Sequence, residues 1–140
     1  MNNNIKYLAE SENFKVISEF ETVTLLWKKE KSKKEICIGD FYGDPECAII
    51  SKNEEYVVTA GCGLIIYFLK EPFSEFQYNK KSTQFIELFR DPKNTCWING
   101  LHQNEIDNDW KYFRFVALND FGEQIYKLNI ENLKLEKISK

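Results

Sequence analysis

The segment from Gly39 to Phe73 limits the folds open to this chain more than any other segment does. It reads GDFYGDPECAIISKNEEYVVTAGCGLIIYFLKEPF and holds three short apolar runs, each bounded by turn-forming residues. Asp44-Pro45 predicts a turn, because proline fixes its own φ and moves the preceding residue out of the helical region. The polar run Lys52–Glu55 has the length of a hairpin loop, and Gly61-Cys62-Gly63 interrupts the chain again. The segment therefore predicts an antiparallel β-meander.

The rest of the chain repeats this pattern of brief apolar runs between turn signals. With 140 residues, the chain fits a single domain, 1–140, in which the Asn- and Glu-rich residues 1–12 are expected to be frayed. We predict an all-β, antiparallel meander of about eight or nine strands. Ten apolar runs are the candidates for these strands, at about 14–20, 22–28, 35–38, 45–51, 55–60, 63–70, 96–98, 111–118, 124–130 and 133–138.

One segment has a different period. In Thr83–Phe89, the apolar residues Phe85, Ile86, Leu88 and Phe89 recur at helical spacing, and Asp91-Pro92 follows as a stop signal. This pattern predicts one short helix near 83–90.

Two segments of the chain echo one another. AIISKNEEYVV (48–58) and FVALNDFGEQIYKL (115–128) both read as strand, polar turn and strand. Repeated antiparallel units of this kind build the blades of a β-propeller, so an incomplete (half) propeller fits the pattern. An ordinary meander stays open as well, because any antiparallel protein repeats hairpins and these segments share no sharp motif.

Composition and charge exclude several classes of protein. Apolar residues make up 43% and charged residues 29%, so the chain is not of the disordered type. The longest apolar run, Leu64–Leu69, is far shorter than the roughly 20 residues of a membrane helix. The net charge of −3 argues against nucleic acid as a partner, and the lysine run 28–34 also contains Glu30, as in a solvated hairpin loop. Since no basic region followed by an apolar stretch opens the chain, we expect a cytoplasmic protein.

Cysteine spacing and the absence of nucleotide motifs predict neither a metal nor a cofactor. The four cysteines stand at 37, 47, 62 and 96, without the short C-x₂₋₄-C pair of a metal site. Cys37, Cys47 and Cys96 lie next to apolar or aromatic residues, where cysteine behaves as a small apolar residue, and disulfides are not expected in a reducing compartment. The chain also lacks a G-x-G-x-x-G run and a P-loop.

The sequence contains few residues of the types that commonly act in catalysis. His102 is the only histidine, which excludes mechanisms that need two, and no cysteine has an electropositive neighbourhood. We therefore predict no catalytic residues. A small enzyme with a cryptic site around His102, Asp107 and Asp109 remains the alternative.

Two loops, 39–46 and 99–110, combine carboxylates with aromatic residues. The carboxylates could suit a hard cation, but neither loop matches the calcium-binding pattern, so no metal site is predicted. Aromatic residues beside charged ones are typical of the anchors and edges of protein interfaces. The candidate partner-binding residues are Asp40, Tyr42, Asp44, Glu46, Trp97, Asp107, Asp109 and Trp110.

In the stretches Gly39–Glu46 and Gly61–Tyr67, the chain resembles the small all-β immunity proteins of bacterial toxin–immunity systems, including contact-dependent growth inhibition. The resemblance implies a non-enzymatic cytoplasmic protein that binds and neutralises a cognate toxin domain, such as a cationic nuclease, by occluding its active site. Because these families share no common binding motif, the resemblance assigns no role to any residue. An adaptor module in a larger complex is a further alternative.

Overall fold

The computed structural model describes residues 5–28, 35–78, 80–90, 96–103, 111–119 and 122–138. Within these residues the chain forms twelve β-strands and no helix. The strands are β1 Ile5–Glu10, β2 Phe14–Glu19, β3 Thr22–Trp27, β4 Glu35–Asp40, β5 Cys47–Ile50, β6 Tyr56–Gly61, β7 Gly63–Phe68, β8 Phe85–Leu88, β9 Trp97–His102, β10 Tyr112–Asn119, β11 Gly122–Asn129 and β12 Leu135–Lys137.

These strands form three antiparallel sheets of four strands each across the described part of the chain. The first sheet contains β1–β4, the central sheet β5–β8 and the third sheet β9–β12, and in each sheet every strand pairs with its neighbours in sequence. The predicted all-β, antiparallel fold is confirmed. The prediction of eight or nine strands is wrong: all ten of the apolar runs form strands, and β1 and β8 add two more from segments that were expected to be frayed and helical.

The helix predicted near 83–90 is likewise wrong. Phe85–Leu88 forms strand β8, in which Ile86 pairs with Ile66 and Phe85 with Tyr67 of β7. The segment that was predicted to be helical is too short for a stable helix, since the first helical turn loses more conformational entropy than its hydrogen bond compensates. Pairing with the open edge of β7 satisfies the backbone groups instead, so a tertiary contact overrides the local period.

The central sheet lies between the other two. Its Val57, Ile65 and Tyr67 pack against the first sheet, whereas Val58 and Ile66 pack against the third. Every residue of β6 is buried. Burial on both faces explains why this part of the sequence reads as continuous apolar runs rather than as an alternating pattern.

The sheets approach one another most closely near their first strands. β1 contacts β5, and β9 contacts β5, β6 and β7. Because each sheet is a meander that begins at its first strand, the turns and connections gather at two opposite ends of the stack.

Candidate protein-interaction surface

One end of the stack carries most of the residues that the sequence singled out. The β4–β5 connection, residues 41–46, lies beside the β2–β3 turn Phe20-Glu21, and the Phe41 amide donates to the Glu21 carbonyl oxygen at 2.9 Å. The β6–β7 turn at Cys62 pairs with Trp97 at the start of β9. We call this region, formed by 19–21, 40–46, 61–63 and Trp97, the acidic end.

Buried side chains fix the two ends of the 41–46 loop. Phe41 is 3% exposed and belongs to the core between the first and central sheets. The Arg90 guanidinium carbon lies 4.9 Å from the centroid of the Phe41 ring, and Arg90 Nη2 donates to the Asp40 carbonyl oxygen at 2.6 Å. At the other end, the buried Pro45 accepts a hydrogen bond on its carbonyl oxygen from Lys6 Nζ at 2.9 Å. The loop therefore joins the first and central sheets.

Backbone hydrogen bonds hold the middle of the same loop. The Gly43 amide donates to Oε2 of Glu21 at 2.6 Å, and the Glu46 amide donates to the Ala60 carbonyl oxygen at 2.8 Å. Gly43 has φ 86°, a conformation that glycine adopts without the strain of a β-carbon. Since the loop is fixed at its ends and its centre, its side chains project from a preorganised backbone.

Tyr42 is the side chain that this loop presents to solvent. It is 86% exposed, whereas its neighbour Phe41 is buried. Phe20, on the adjoining β2–β3 turn, is 60% exposed and has φ 55°. Two aromatic side chains are therefore exposed to solvent on neighbouring segments that are hydrogen-bonded to each other.

Exposed carboxylates lie on both sides of Tyr42 along the chain. Asp40, Asp44 and Glu46 are exposed, and within the described residues none of their carboxylates forms an ion pair. Among the described residues, Lys6 and Arg90 are the cations with hydrogen bonds to this segment. Lys6 donates to a backbone carbonyl of the loop, and Arg90 Nε pairs with Glu87 at 2.8 Å. The acidic end consequently presents both exposed carboxylates and exposed aromatic side chains.

The structure brings five of the eight predicted residues together at this end: Asp40, Tyr42, Asp44, Glu46 and Trp97. The Trp97 ring lies 3.9 Å from the position that a β-carbon on Gly43 would occupy. Asp107, Asp109 and Trp110 lie outside the described residues. Asn99–His102 continue β9 rather than beginning the predicted loop, so His102 lies at the strand end remote from the acidic end.

Phe20 and Glu21 were missed from the sequence. Their signal was an aromatic residue between Glu19 and Glu21 at a strand boundary, where an exposed aromatic side chain has no packing role. What the sequence could not supply is the pairing of this turn with the 41–46 loop, because the two segments are twenty residues apart.

Two thiols near this surface, those of Cys47 and Cys96, have raised pKa values. All four cysteines lie within the described residues and are free and partly buried. Burial raises the pKa of Cys47 to about 11, with the Glu46 charge adding to the shift, and burial also raises the pKa of Cys96. A thiol with a raised pKa is protonated at neutral pH and is a poor nucleophile.

Comparison with known proteins adds no family. No protein-family model matches the chain, and no curated protein is significantly similar to it in sequence. In the described ranges, no group of three or more potential metal ligands comes together. Those ranges also contain no helix with the length and apolar character to cross a membrane.

Proposed function

We propose that this chain is a non-enzymatic immunity protein that binds a cognate toxin domain through its acidic end and occludes the active site of that domain. The observation that carries the proposal is Tyr42, which is 86% exposed on a loop held by hydrogen bonds from both sides. Large aromatic side chains at the centre of a patch are common binding hot spots. A preorganised loop also loses little conformational entropy when it binds.

The charge of the surface favours a basic partner. Asp40, Asp44 and Glu46 have exposed carboxylates in the same segment as Tyr42, and the chain as a whole has a net charge of −3. Complementary charge speeds association and rejects wrong partners more than it adds affinity. Nucleases are cationic where they hold phosphates, so a protein that covers that surface benefits from this charge pattern. The resemblance of Gly39–Glu46 and Gly61–Tyr67 to immunity proteins points in the same direction.

We extend the proposal to the architecture: the three sheets correspond to three consecutive blades of an incomplete β-propeller. Support comes from the sequential four-stranded meanders, which pack face to face with the first strands β1, β5 and β9 adjacent. An experimental structure in which one common axis relates successive sheets is the expected result. Sheets that lack a common axis would contradict this extension without affecting the binding proposal.

The binding proposal is tested on the toxin domain encoded beside this protein, by calorimetry with the purified pair. Tyr42→Ala should weaken binding by about 2 kcal/mol, the size of a hot-spot residue. Tyr7→Ala is the matched control, because Tyr7 is 57% exposed but lies on β1 rather than on the 41–46 loop. Equal affinities for the two variants would reject the acidic end as the interface.

The electrostatic part is tested by charge reversal at Asp44 and Glu46. The double variant Asp44→Lys/Glu46→Lys should slow association and weaken binding by roughly 2 kcal/mol or more. Glu55→Lys/Glu71→Lys makes the same change in net charge at exposed positions of the opposite end. Protection of cells from the toxin should follow the measured affinities. A wild-type protein that neither binds nor protects against the neighbouring gene product would overturn the proposed function itself.

A further inference from the structure

The outer face of the third sheet, which points away from the central sheet, contains a cavity of about 330 Å³. Gly100, Val116 and Ile125 form a row across its floor, since Val116 of β10 pairs with Gly100 of β9 and with Ile125 of β11. Ile138 extends the row, and its amide donates to the Ile125 carbonyl oxygen at 2.8 Å. The cavity therefore has an apolar floor that spans the sheet.

The missing side chain at Gly100 keeps this row open. A β-carbon there would lie 3.3 Å from Val116 Cγ2, which is tighter than an ordinary contact. The apolar side chains along the row also remain accessible, with Ile125 39% and Ile138 43% exposed. A cavity of this volume is within the roughly 300–1,000 Å³ range of small-molecule sites.

Positive charge borders one side of the apolar row. Two register positions along the strands, Arg114 of β10 lies opposite His102 of β9 and Lys127 of β11. Like charges directly opposite one another destabilise a sheet, so this arrangement favours a nearby anion. Lys127 has other contacts: its Nζ lies 4.2 Å from the centroid of the Tyr112 ring, and Glu136 of β12 is opposite it in register.

Unlike Lys127, the Arg114 side chain has no other charged or aromatic contact in the described ranges. Arg114 lines the cavity, and its guanidinium forms no ion pair or hydrogen bond anywhere in the described ranges. A guanidinium offers five donors in a planar fork that matches a carboxylate with two parallel hydrogen bonds. The group at this end of the cavity is thus a cation with its donors unused, next to an apolar floor.

We propose that this cavity binds a small aliphatic monocarboxylate. The carboxylate accepts hydrogen bonds from Arg114, with His102 beside it, and the hydrocarbon chain lies along Val116, Ile125 and Ile138. This surface is separate from the acidic end, so the proposal goes beyond the proposed function and does not depend on it.

Calorimetry with octanoate and with octanol tests the proposal on the intact protein. Octanoate should bind about ten-fold more tightly than octanol, since a charge-assisted hydrogen bond contributes that much or more. Arg114→Met should remove this preference by weakening octanoate alone. Lys70→Met, which removes one charge from an exposed position near the end of β7, is the matched control and should bind octanoate as wild type does.

A second variant tests the apolar floor. Ile125→Gln changes a partly exposed side chain, so the fold should persist, and it should weaken octanoate and octanol alike. Thermal unfolding of each variant verifies folding. Failure of the wild type to bind octanoate at millimolar concentration would overturn the proposal, and so would equal affinity for octanoate and octanol. An octanoate affinity that Arg114→Met leaves unchanged would also overturn it.

Discussion

The central and third sheets have the same topology but very different surroundings. Each is a four-stranded antiparallel meander, yet all of β6 is buried, whereas in β11 only Leu128 is fully buried. Strand pairing alone therefore does not determine what a residue contributes; the position of its sheet in the stack does. Strand β6 can contribute only to stability, whereas the outer surfaces and the ends of the sheets are accessible to partners.

The largest test of this difference compares two isoleucines. Ile66 of the central sheet is fully buried, whereas Ile125 of the third sheet is 39% exposed. Ile66→Ala should lower the free energy of unfolding by about 4 kcal/mol, because it removes buried methyl groups and leaves a cavity. Ile125→Ala should cost about 1 kcal/mol or less. Urea unfolding measures both, and similar losses would contradict the assignment of stability to the central sheet.

A second test compares glycines in the turns of the same two sheets. Gly63 has φ 90°, and a β-carbon there would lie 2.9 Å from the Leu88 carbonyl oxygen. Gly122 has φ 102°, but nothing lies within 4 Å of its added β-carbon. Gly122→Ala should therefore cost about 1 kcal/mol of backbone strain alone, and Gly63→Ala about 3 kcal/mol because a steric clash is added. Equal losses in the free energy of unfolding would show that the β6–β7 turn can shift to relieve the clash.

The fold class was predictable from the sequence because a strand that is buried on both faces has a continuous run of apolar residues. Continuous apolar runs around Val57 and Leu64, cut by Gly61-Cys62-Gly63, predict paired strands in the central sheet without knowledge of the sheets around them. β8 was not predictable. Its four residues fit a helical period equally well, and only the open edge of β7 selects the strand.

The residues of the candidate surface likewise fall into those that the sequence identifies and those that it does not. Tyr42, Asp44 and Glu46 were found because they are neighbours in sequence, within a run that has no apolar periodicity. Phe20 was not found, because its role depends on hydrogen bonds between its turn and a distant loop. The row formed by Gly100, Val116 and Ile125 depends on strand register, which no local pattern specifies.

A third test concerns the long connection between β7 and β8. The Gln84 side chain is 6% exposed; its Oε1 accepts from the Ser74 amide at 2.9 Å, and its Nε2 donates to the carbonyl oxygens of Phe68 and Lys70 at 2.8 Å. Gln84→Leu leaves these groups without partners and should cost about 2 kcal/mol. Gln77→Leu, at an exposed position of the same connection, is the control.

Thermal unfolding and limited proteolysis distinguish the two glutamine variants. Gln84→Leu should unfold at a lower temperature and be cleaved faster within 69–83, whereas Gln77→Leu should behave as wild type. A Gln84 variant with unchanged stability and protection would mean that packing, rather than this side chain, holds the connection to the central sheet.

The smallest test uses the ionisation of Cys47, at the interface of the central and third sheets. Its thiol has a pKa of about 11 in the folded protein, raised from 9.0 mainly by burial. Above pH 9, the unfolded chain therefore loses this proton before the folded protein does. Because the folded state then binds more protons, the free energy of unfolding must fall as the pH rises from 9 towards 11.

Between pH 7 and pH 10, this single thiol should lower the free energy of unfolding by about 1 kcal/mol. Cys47→Ala removes the ionisable group, so the variant should lose about that much less than wild type over the same interval. Measurement at pH 7, where the thiol is protonated in both states, isolates the packing cost of the substitution. Urea unfolding at both pH values gives the difference. Equal losses for wild type and Cys47→Ala would mean that Cys47 is as accessible to water as the surface of an outer sheet, and that the interface between the central and third sheets is looser than its apolar side chains indicate.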